Sequence, residues 1–235
     1  MAAQQPDRAP GNLALRIRSA ALFVPVAFGA IYFGFPWFDA LIVLCAVLMA
    51  WEWTRICSDG VFGPGGWLIE AGLLAAVAAL YLNEPVAALA VLAAVAVGLL
   101  LMGRRIGQGD PRFLVLGAVL IGVFCLSFLW LRSEPVHGRD MTIWLVCAVW
   151  FTDTGAYAFG KTIGGARMAP KISPKKTWAG LAGGVLCASL WSVAWLGWLG
   201  VLDIVPAIGA AVAAALLAQA GDLTVSFAKR RFGVK

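Results

Sequence analysis

Residues 86–103 read VAALAVLAAVAVGLLLMG and include no charged or hydrogen-bonding side chain. A helix of about 20 apolar residues spans the hydrocarbon core of a bilayer, so this stretch predicts a transmembrane helix. The whole chain has the same character, because 62% of its 235 residues are hydrophobic and 13% are charged. Soluble domains average about 45–50% apolar and about 25% charged residues. The composition therefore excludes a soluble globular enzyme, a disordered chain and a disulfide-stapled secreted domain.

Seven further apolar stretches predict further spans, and glycine and proline clusters separate them. The predicted spans cover residues 14–34, 37–56, 66–82, 86–103, 113–131, 141–160, 178–200 and 204–221. These runs are continuous and lack the alternation of a strand, so helices are the structure that satisfies their backbone in lipid. The predicted fold is an all-α, polytopic integral membrane bundle of about eight transmembrane helices.

The basic residues predict the orientation of this bundle. With a cytoplasmic N-terminus and alternating spans, all of the 18 Lys and Arg residues except Arg132 and Arg139 fall on the cytoplasmic side, as the positive-inside rule expects. We expect residues 1–12 to be a disordered cytoplasmic tail and residues 13–140 to be N-terminal transmembrane helices. Residues 141–235 then form the transmembrane region that carries the polar motifs.

Asp153 lies inside the sixth predicted span, between Thr152 and Thr154. An ionisable side chain at membrane depth is costly and is a functional candidate by default. The simpler interpretation is a carboxylate near the helix end that the following loop solvates. The polar turn around Asp153 favours the functional interpretation.

A basic cluster precedes the seventh span. Its members are Lys171, Ser173, Lys175, Lys176 and Thr177. The first turn of a helix attracts anions through its N–H groups and its dipole, and lysines and hydroxyls add charge and hydrogen-bond donors. These residues predict a phosphate-binding site, although a cytoplasmic loop that caps the helix explains them on composition alone. The glycine-rich P-loop pattern is absent from the sequence.

A second polar cluster follows the eighth span. If the helix continues past Gly221, its residues Asp222, Ser226, Lys229 and Arg230 lie on one face. A carboxylate beside basic groups at a membrane surface suits Mg²⁺ that carries a nucleotide phosphate. A helix end with a salt-bridged aspartate explains the spacing equally well.

Three stretches together resemble a known family: TDTGAYAFGK at 152–161, KISPKKTWAG at 171–180 and GDLTVSFAKRRFGVK at 221–235. They are similar to bacterial phosphatidate cytidylyltransferase, also called CDP-diacylglycerol synthase. The N-terminal half is similar only as a generic set of spans. The resemblance implies transfer of a cytidylyl group from CTP to phosphatidic acid, which gives CDP-diacylglycerol and pyrophosphate. It also implies a multi-pass protein of the cell inner membrane with its active face in the cytoplasm.

The resemblance also implies roles for the residues of the two polar clusters. The expected catalytic residues are Asp153, Lys175, Lys176 and Asp222. The expected substrate-binding residues are Lys171, Ser173, Thr177, Ser226, Lys229 and Arg230. Asp222 is the expected ligand of Mg²⁺, and Asp153 is expected to orient a lysine or to hold a second cation. The expected partners are CTP, phosphatidic acid and membrane lipids, without nucleic acid and with a homodimer left open.

The sequence departs from the family pattern at several points. Ala228 replaces a larger hydrophobic residue, and Val225 stands where the family usually has glutamate. The family pattern would continue after Lys235 with a second metal-binding aspartate, so we expect a chain truncated inside its metal site. The alternatives left open are an inactive truncated homologue, a lipid-binding or transport membrane protein, and a cytidylyltransferase for another lipid phosphate.

Overall fold

Eight helices and one short hairpin form the fold of this computed structural model, which describes residues 11–106 and 109–234. The helices are α1 (Gly11–Phe33), α2 (Trp37–Cys57), α3 (Pro64–Tyr81), α4 (Pro85–Ile106), α5 (Pro111–Ser133), α6 (Gly138–Thr162), α7 (Trp178–Trp198) and α8 (Ile204–Arg231). The strands are β1 (Arg167–Ala169) and β2 (Ser173–Thr177). The predicted all-α polytopic membrane bundle is confirmed. Most of the expected tail at residues 1–12 lies outside the described residues, and Gly11 and Asn12 belong to α1.

Six of these helices are long and apolar enough to cross a membrane, within the part of the chain that the structure describes. They are α2, α3, α4, α5, α7 and α8. In α1 the apolar stretch Ala21–Phe33 is shorter. The sixth helix lies outside this set, and it carries the polar turn Thr152–Thr154 and charged residues near both ends.

Prolines explain where several helices begin. Pro64, Pro85 and Pro111 are the first residues of α3, α4 and α5, a position where the missing N–H of proline removes no helical hydrogen bond. The Asp110 side chain also caps α5 by accepting a hydrogen bond of 3.0 Å from the Arg112 N–H. The joints predicted from proline and glycine are therefore the joints of the structure.

Side-chain contacts between helix ends show that α1 and α5 run in one direction and that α2 and α8 run in the opposite one. Arg132 Nε at the end of α5 donates to the carbonyl of Ile31 at the end of α1, at 2.8 Å. At the opposite end of the bundle, Trp53 Nε1 of α2 donates to the Phe113 carbonyl of α5, at 2.7 Å. The last turn of α8 reaches this same end, where Phe232 packs edge-to-face on Phe113.

The eighth helix is longer than its predicted span. The apolar run ends at residue 221, whereas α8 continues to Arg231 and has 28 residues. At 1.5 Å per residue it is roughly 42 Å long, which exceeds the roughly 30 Å hydrocarbon core. The predicted single face of Asp222, Ser226, Lys229 and Arg230 is therefore a face of a continuous helix.

The hairpin was not predicted from the sequence. Strands β1 and β2 are antiparallel, with Arg167 opposite Thr177 and Ala169 opposite Ser173. Proline disfavours the helical conformation at the residue before it, which keeps Ser173 extended. The seventh helix begins at Trp178 as predicted, and Thr177 is its N-cap residue.

Glycines set the close approach of α6 and α7. A Cβ atom at Gly180 would lie 2.8 Å from the Ala156 carbonyl oxygen, and one at Gly184 would lie 2.7 Å from that of Thr152. The spacing Gly180-x-x-x-Gly184 therefore serves helix packing, as small residues do between membrane helices. This contact fixes the part of α6 that carries Asp153 against the helix that follows the hairpin.

Two alanine substitutions in α7 test this packing. Nothing lies within 4 Å of a Cβ at Gly197, which is exposed, so Gly197→Ala should raise the melting temperature, since alanine is favoured over glycine in a helix by about 1 kcal/mol. The same methyl group at Gly184 meets backbone, and overpacking costs about 1–3 kcal/mol. We expect Gly184→Ala to lower the melting temperature of the detergent-solubilised protein. A Gly184→Ala protein as stable as Gly197→Ala would contradict the close contact.

Candidate functional site

The β1–β2 hairpin is held against the C-terminal part of α8 by two side-chain hydrogen bonds. Lys176 Nζ of β2 donates to Gln219 Oε1 of α8 at 2.7 Å. Arg230 Nε of α8 donates to the Ile172 carbonyl in the hairpin turn at 3.1 Å. The hairpin and α8 therefore form the two walls of one polar region.

The strand conformation gives the consecutive lysines different positions. Successive side chains of a strand point to opposite faces, so Lys175 and Lys176 cannot share one environment. The side chain of Lys176 is 18% exposed and contacts α8. Lys175 is exposed and, instead of joining this contact, borders a cavity that the last turns of α8 also line. The sequence pattern alone treated the two residues as equivalent phosphate ligands.

Lys176 joins two residues of α8. Its Nζ lies 2.5 Å from Asp222 Oδ2 and also contacts Gln219, one helical turn away. Gln219 is only 7% exposed, whereas the Asp222 side chain is 61% exposed. The lysine therefore fills the hydrogen-bonding need of a buried amide and leaves most of the carboxylate open to a ligand.

Gln219 is a site residue that the sequence analysis missed. The signal was present, because a glutamine in the run AALLAQAGD interrupts an otherwise alanine- and leucine-rich span. A buried amide needs a hydrogen-bond partner, and the nearest polar side chains in α8, Asp222 and Thr224, bind Lys176 and the Ala220 carbonyl instead. The partner comes from the distant hairpin, which periodicity in α8 does not reveal.

Asp153 belongs to the same cluster of charges. Its side chain is exposed on α6, close enough to Asp222 and Lys176 for both of their charges to act on it. The adjacent Thr152 is buried and donates to the Ala148 carbonyl within its own helix, at 2.8 Å. The structure thus brings together Asp153, Lys176 and Asp222, three of the four expected catalytic residues.

A basic cavity lies beside this cluster, between the hairpin turn and the last turns of α8. It has a volume of about 370 Å³. Its lining includes five residues that the sequence predicted as site residues, Ser173, Lys175, Ser226, Lys229 and Arg230. No carboxylate is among its lining residues in the described part of the chain. Three cationic side chains and two hydroxyls are groups that a phosphorylated anion would require. We name this space the basic cavity.

Two predicted residues lie outside the basic cavity. Lys171 is exposed in the hairpin turn and does not line the cavity. Thr177 caps α7, since its Oγ1 accepts a 3.0 Å hydrogen bond from the Gly180 N–H. Its hydroxyl therefore has a helix-capping role.

The fit to a metal ion depends on two carboxylates. Among the residues that the structure describes, no three His, Cys, Asp or Glu side chains are grouped closely enough to enclose a metal. Asp153 and Asp222 are both exposed, and the charge of Asp222 acts on Asp153. Mg²⁺ usually binds one or two carboxylates and completes its shell with water and substrate phosphates. This donor pair therefore fits a magnesium ion that arrives with a phosphate ligand.

Comparisons with known proteins identify the family of this chain. Residues 14–235 match the family model described as "Cytidylyltransferase family". Phosphatidate cytidylyltransferase of Brucella suis biovar 1 (strain 1330) is 32% identical over 235 residues, covering 95% of this chain and 82% of the relative. The protein of the same name from Rickettsia bellii (strain RML369-C) is 34% identical, covering 97% and 80%. The resemblance predicted from the three sequence stretches is confirmed.

Methionine substitutions of the two adjacent lysines test their separate environments. Lys176→Met removes the partner of a buried amide and of Asp222, so we expect a loss of about 1–2 kcal/mol in unfolding free energy. Lys175→Met changes an exposed side chain and should stay within about 0.5 kcal/mol of the wild type. Thermal unfolding of both variants in the same detergent measures the difference. Equal melting temperatures for the two variants would contradict the alternation of the lysines.

Proposed function

We propose that this chain, which belongs to the cytidylyltransferase family, transfers a cytidylyl group from CTP to phosphatidic acid. In this reaction a phosphate oxygen of the lipid attacks the α-phosphorus of CTP. A new P–O–P linkage forms, the bond to the β-phosphate oxygen breaks, and pyrophosphate leaves. The observation that carries the proposal is the juxtaposition of a carboxylate pair with the basic cavity at one end of a membrane bundle.

The reaction asks the protein mainly for positioning and for charge compensation. Both substrates are polyanions, and their phosphates repel each other in water. Lys175, Lys229 and Arg230 supply positive charge around a single cavity. Ser173 and Ser226 add hydroxyl donors that can orient a phosphate oxygen. These groups lower the cost of bringing two anionic phosphates into contact.

The carboxylate pair would hold Mg²⁺. Asp222 is the first expected ligand and Asp153 is the second candidate, either for the same ion or for a second cation. Mg²⁺ bound there would neutralise charge on the phosphates of CTP and orient them. Lys176 holds the Asp222 carboxylate in one place through the ion pair of 2.5 Å. Lys176 then acts as a positioning residue for the carboxylate.

The depth of the site fits one soluble and one membrane-bound substrate. Asp222 lies 18 residues after the start of α8, which is roughly 27 Å along the helix axis and close to the far edge of a roughly 30 Å apolar core. The basic residues that follow Asp222 on α8 would then lie farther out, at headgroup level. With the orientation expected from the basic loops, the site faces the cytoplasm from the inner membrane.

Asp222→Asn tests the metal-binding role. The change keeps shape and hydrogen bonding to Lys176 and removes the charge, so we expect formation of CDP-lipid from labelled CTP to fall about 100-fold or more. The matched control is Asp203→Asn at the opposite end of α8, where the side chain caps no N–H, and it should keep wild-type turnover. Near-normal turnover of Asp222→Asn at low Mg²⁺ would contradict the metal role.

A second pair of variants tests the basic cavity. Lys175→Met removes a charge that lines the cavity and should raise a KM for CTP or for lipid about tenfold. Lys171→Met removes a charge from the same hairpin outside the cavity and should have a much smaller effect. Steady-state kinetics with each substrate varied in turn measures both. A larger rise in KM for Lys171→Met than for Lys175→Met would contradict a phosphate site in the basic cavity.

The choice of lipid is tested with the same assay. Phosphatidic acid, lysophosphatidic acid and an isoprenoid phosphate are offered separately with labelled CTP. We expect turnover to be highest with phosphatidic acid. A clear preference for another lipid phosphate would support cytidylyl transfer and contradict phosphatidic acid as the substrate.

A further inference from the structure

A second cavity opens next to the basic cavity, on the side away from the hairpin. It has a volume of about 350 Å³ and lies between α2, α5 and α8. Most of its lining is apolar, including Met49 and Ile56 of α2, Leu120 and Phe124 of α5, and Val225 of α8. Glu52 is an exposed carboxylate on the same wall. We name this cavity the apolar groove.

The shape of the groove follows from a tight contact between α2 and α5. The Trp53 indole occupies the space that a side chain at Gly117 would need. The same indole donates to the Phe113 carbonyl at 2.7 Å, so its position is fixed. The absence of a side chain at Gly117 lets Trp53 pack against α5. Trp53 and Gly117 together line the base of the groove.

The three helices that line the groove border it over segments of similar length. It extends from Ile56 to Met49 on α2, from Gly117 to Phe124 on α5, and from Lys229 to Gly221 on α8. Each of these segments covers eight or nine residues, which is roughly 10–12 Å along a helix. Because α5 runs opposite to α2 and α8, all three segments descend from the same end of the bundle towards its middle.

Lys229 lines both the basic cavity and the apolar groove. On α8, Gly221, Val225 and Lys229 form one stripe at a spacing of four residues, and Asp222, Ser226 and Arg230 form the neighbouring stripe. Residues four apart lie one above the other on a helix. The groove and the phosphate-binding face therefore meet along one helix, with a cation at the junction.

We propose that the apolar groove holds one acyl chain of the lipid phosphate whose headgroup occupies the basic cavity, an inference that rests on the proposed function. The occupant needs an anionic head joined to an apolar chain, because one cation lines both spaces. Bilayer lipid is as apolar as the groove, so the groove gains little from hydrophobic burial. Its effect is to orient the chain so that the phosphate is presented to the carboxylate pair.

Photolabelling tests the location of the chain without requiring turnover. The full chain in lipid nanodiscs is labelled with a phosphatidic acid that carries a diazirine halfway along one acyl chain. We expect cross-links to concentrate in residues 117–124, 49–56 and 221–229. A diacylglycerol with the same diazirine lacks the phosphate and should lose this preference. Cross-links spread alike for both lipids over the lipid-facing sides of α3 and α4 would overturn the proposal.

Leu120→Trp tests its effect on catalysis. Leu120 lines the groove and is 42% exposed, so an indole there would shorten the groove far from the carboxylates. We expect kcat/KM for dioleoyl phosphatidic acid to fall about tenfold, with the KM for CTP and the turnover of dihexanoyl phosphatidic acid unchanged. The control is Leu89→Trp on α4, an exposed position that lines neither cavity. Equal losses for long and short lipids would overturn the proposal.

The two proposals fail in different ways. A wild-type protein that labels in the groove but forms no CDP-lipid would contradict the proposed function and keep the lipid site. A wild-type protein that forms CDP-lipid while its cross-links avoid the groove would contradict only the acyl-chain site. Melting temperatures of the variants identify any loss of activity that comes from unfolding.

Discussion

The contact of Lys176 with Asp222 and Gln219 is the interaction on which the site depends. It joins a hairpin, which by itself is too short to be stable, to a helix that spans the membrane. A buried glutamine in an alanine-rich helix would be costly without a partner, and the lysine supplies one. The same ammonium group neutralises part of the charge on Asp222. Without this contact the wall that Ser173 and Lys175 provide would be held to α8 mainly by the Arg230–Ile172 hydrogen bond.

Glycine packing brings the third charged residue to this place. The close approach of α6 and α7 at Gly180 and Gly184 leaves no room for side chains between the helices. This contact therefore fixes the rotation of α6 about its axis and its position along α7. Asp153 is exposed on α6, where the charges of Lys176 and Asp222 act on it. Small residues at a helix contact thus determine the spacing of two carboxylates that lie 69 positions apart in the sequence.

Local signals in the sequence were sufficient for the helices and for one face of α8. Apolar side chains favour lipid and prolines favour helix starts, so each of the eight described helices corresponds to a predicted span, and α8 extends ten residues beyond its own. The hairpin was not predictable in this way, because β1 has three residues and β2 has five, too few for a periodic pattern. The different roles of Lys175 and Lys176 follow from that strand, and Gln219 acquires a partner only through it. The hairpin, the different positions of the two lysines and the partner of Gln219 all depend on contacts between residues far apart in the sequence.

The rotation of α8 about its axis determines which of its residues line the apolar groove and which line the phosphate-binding face. The stripe of Gly221, Val225 and Lys229 and the stripe of Asp222, Ser226 and Arg230 are one residue apart, or about 100° on the helix. A turn of that size would exchange the apolar groove for the phosphate-binding face. Lys176 opposes such a turn because it binds Gln219 and Asp222. On α5, Phe113 stacks with Phe227 and packs edge-to-face with Phe232. A helix held from two sides can therefore present an apolar wall to the membrane and a charged wall to the hairpin at the same depth.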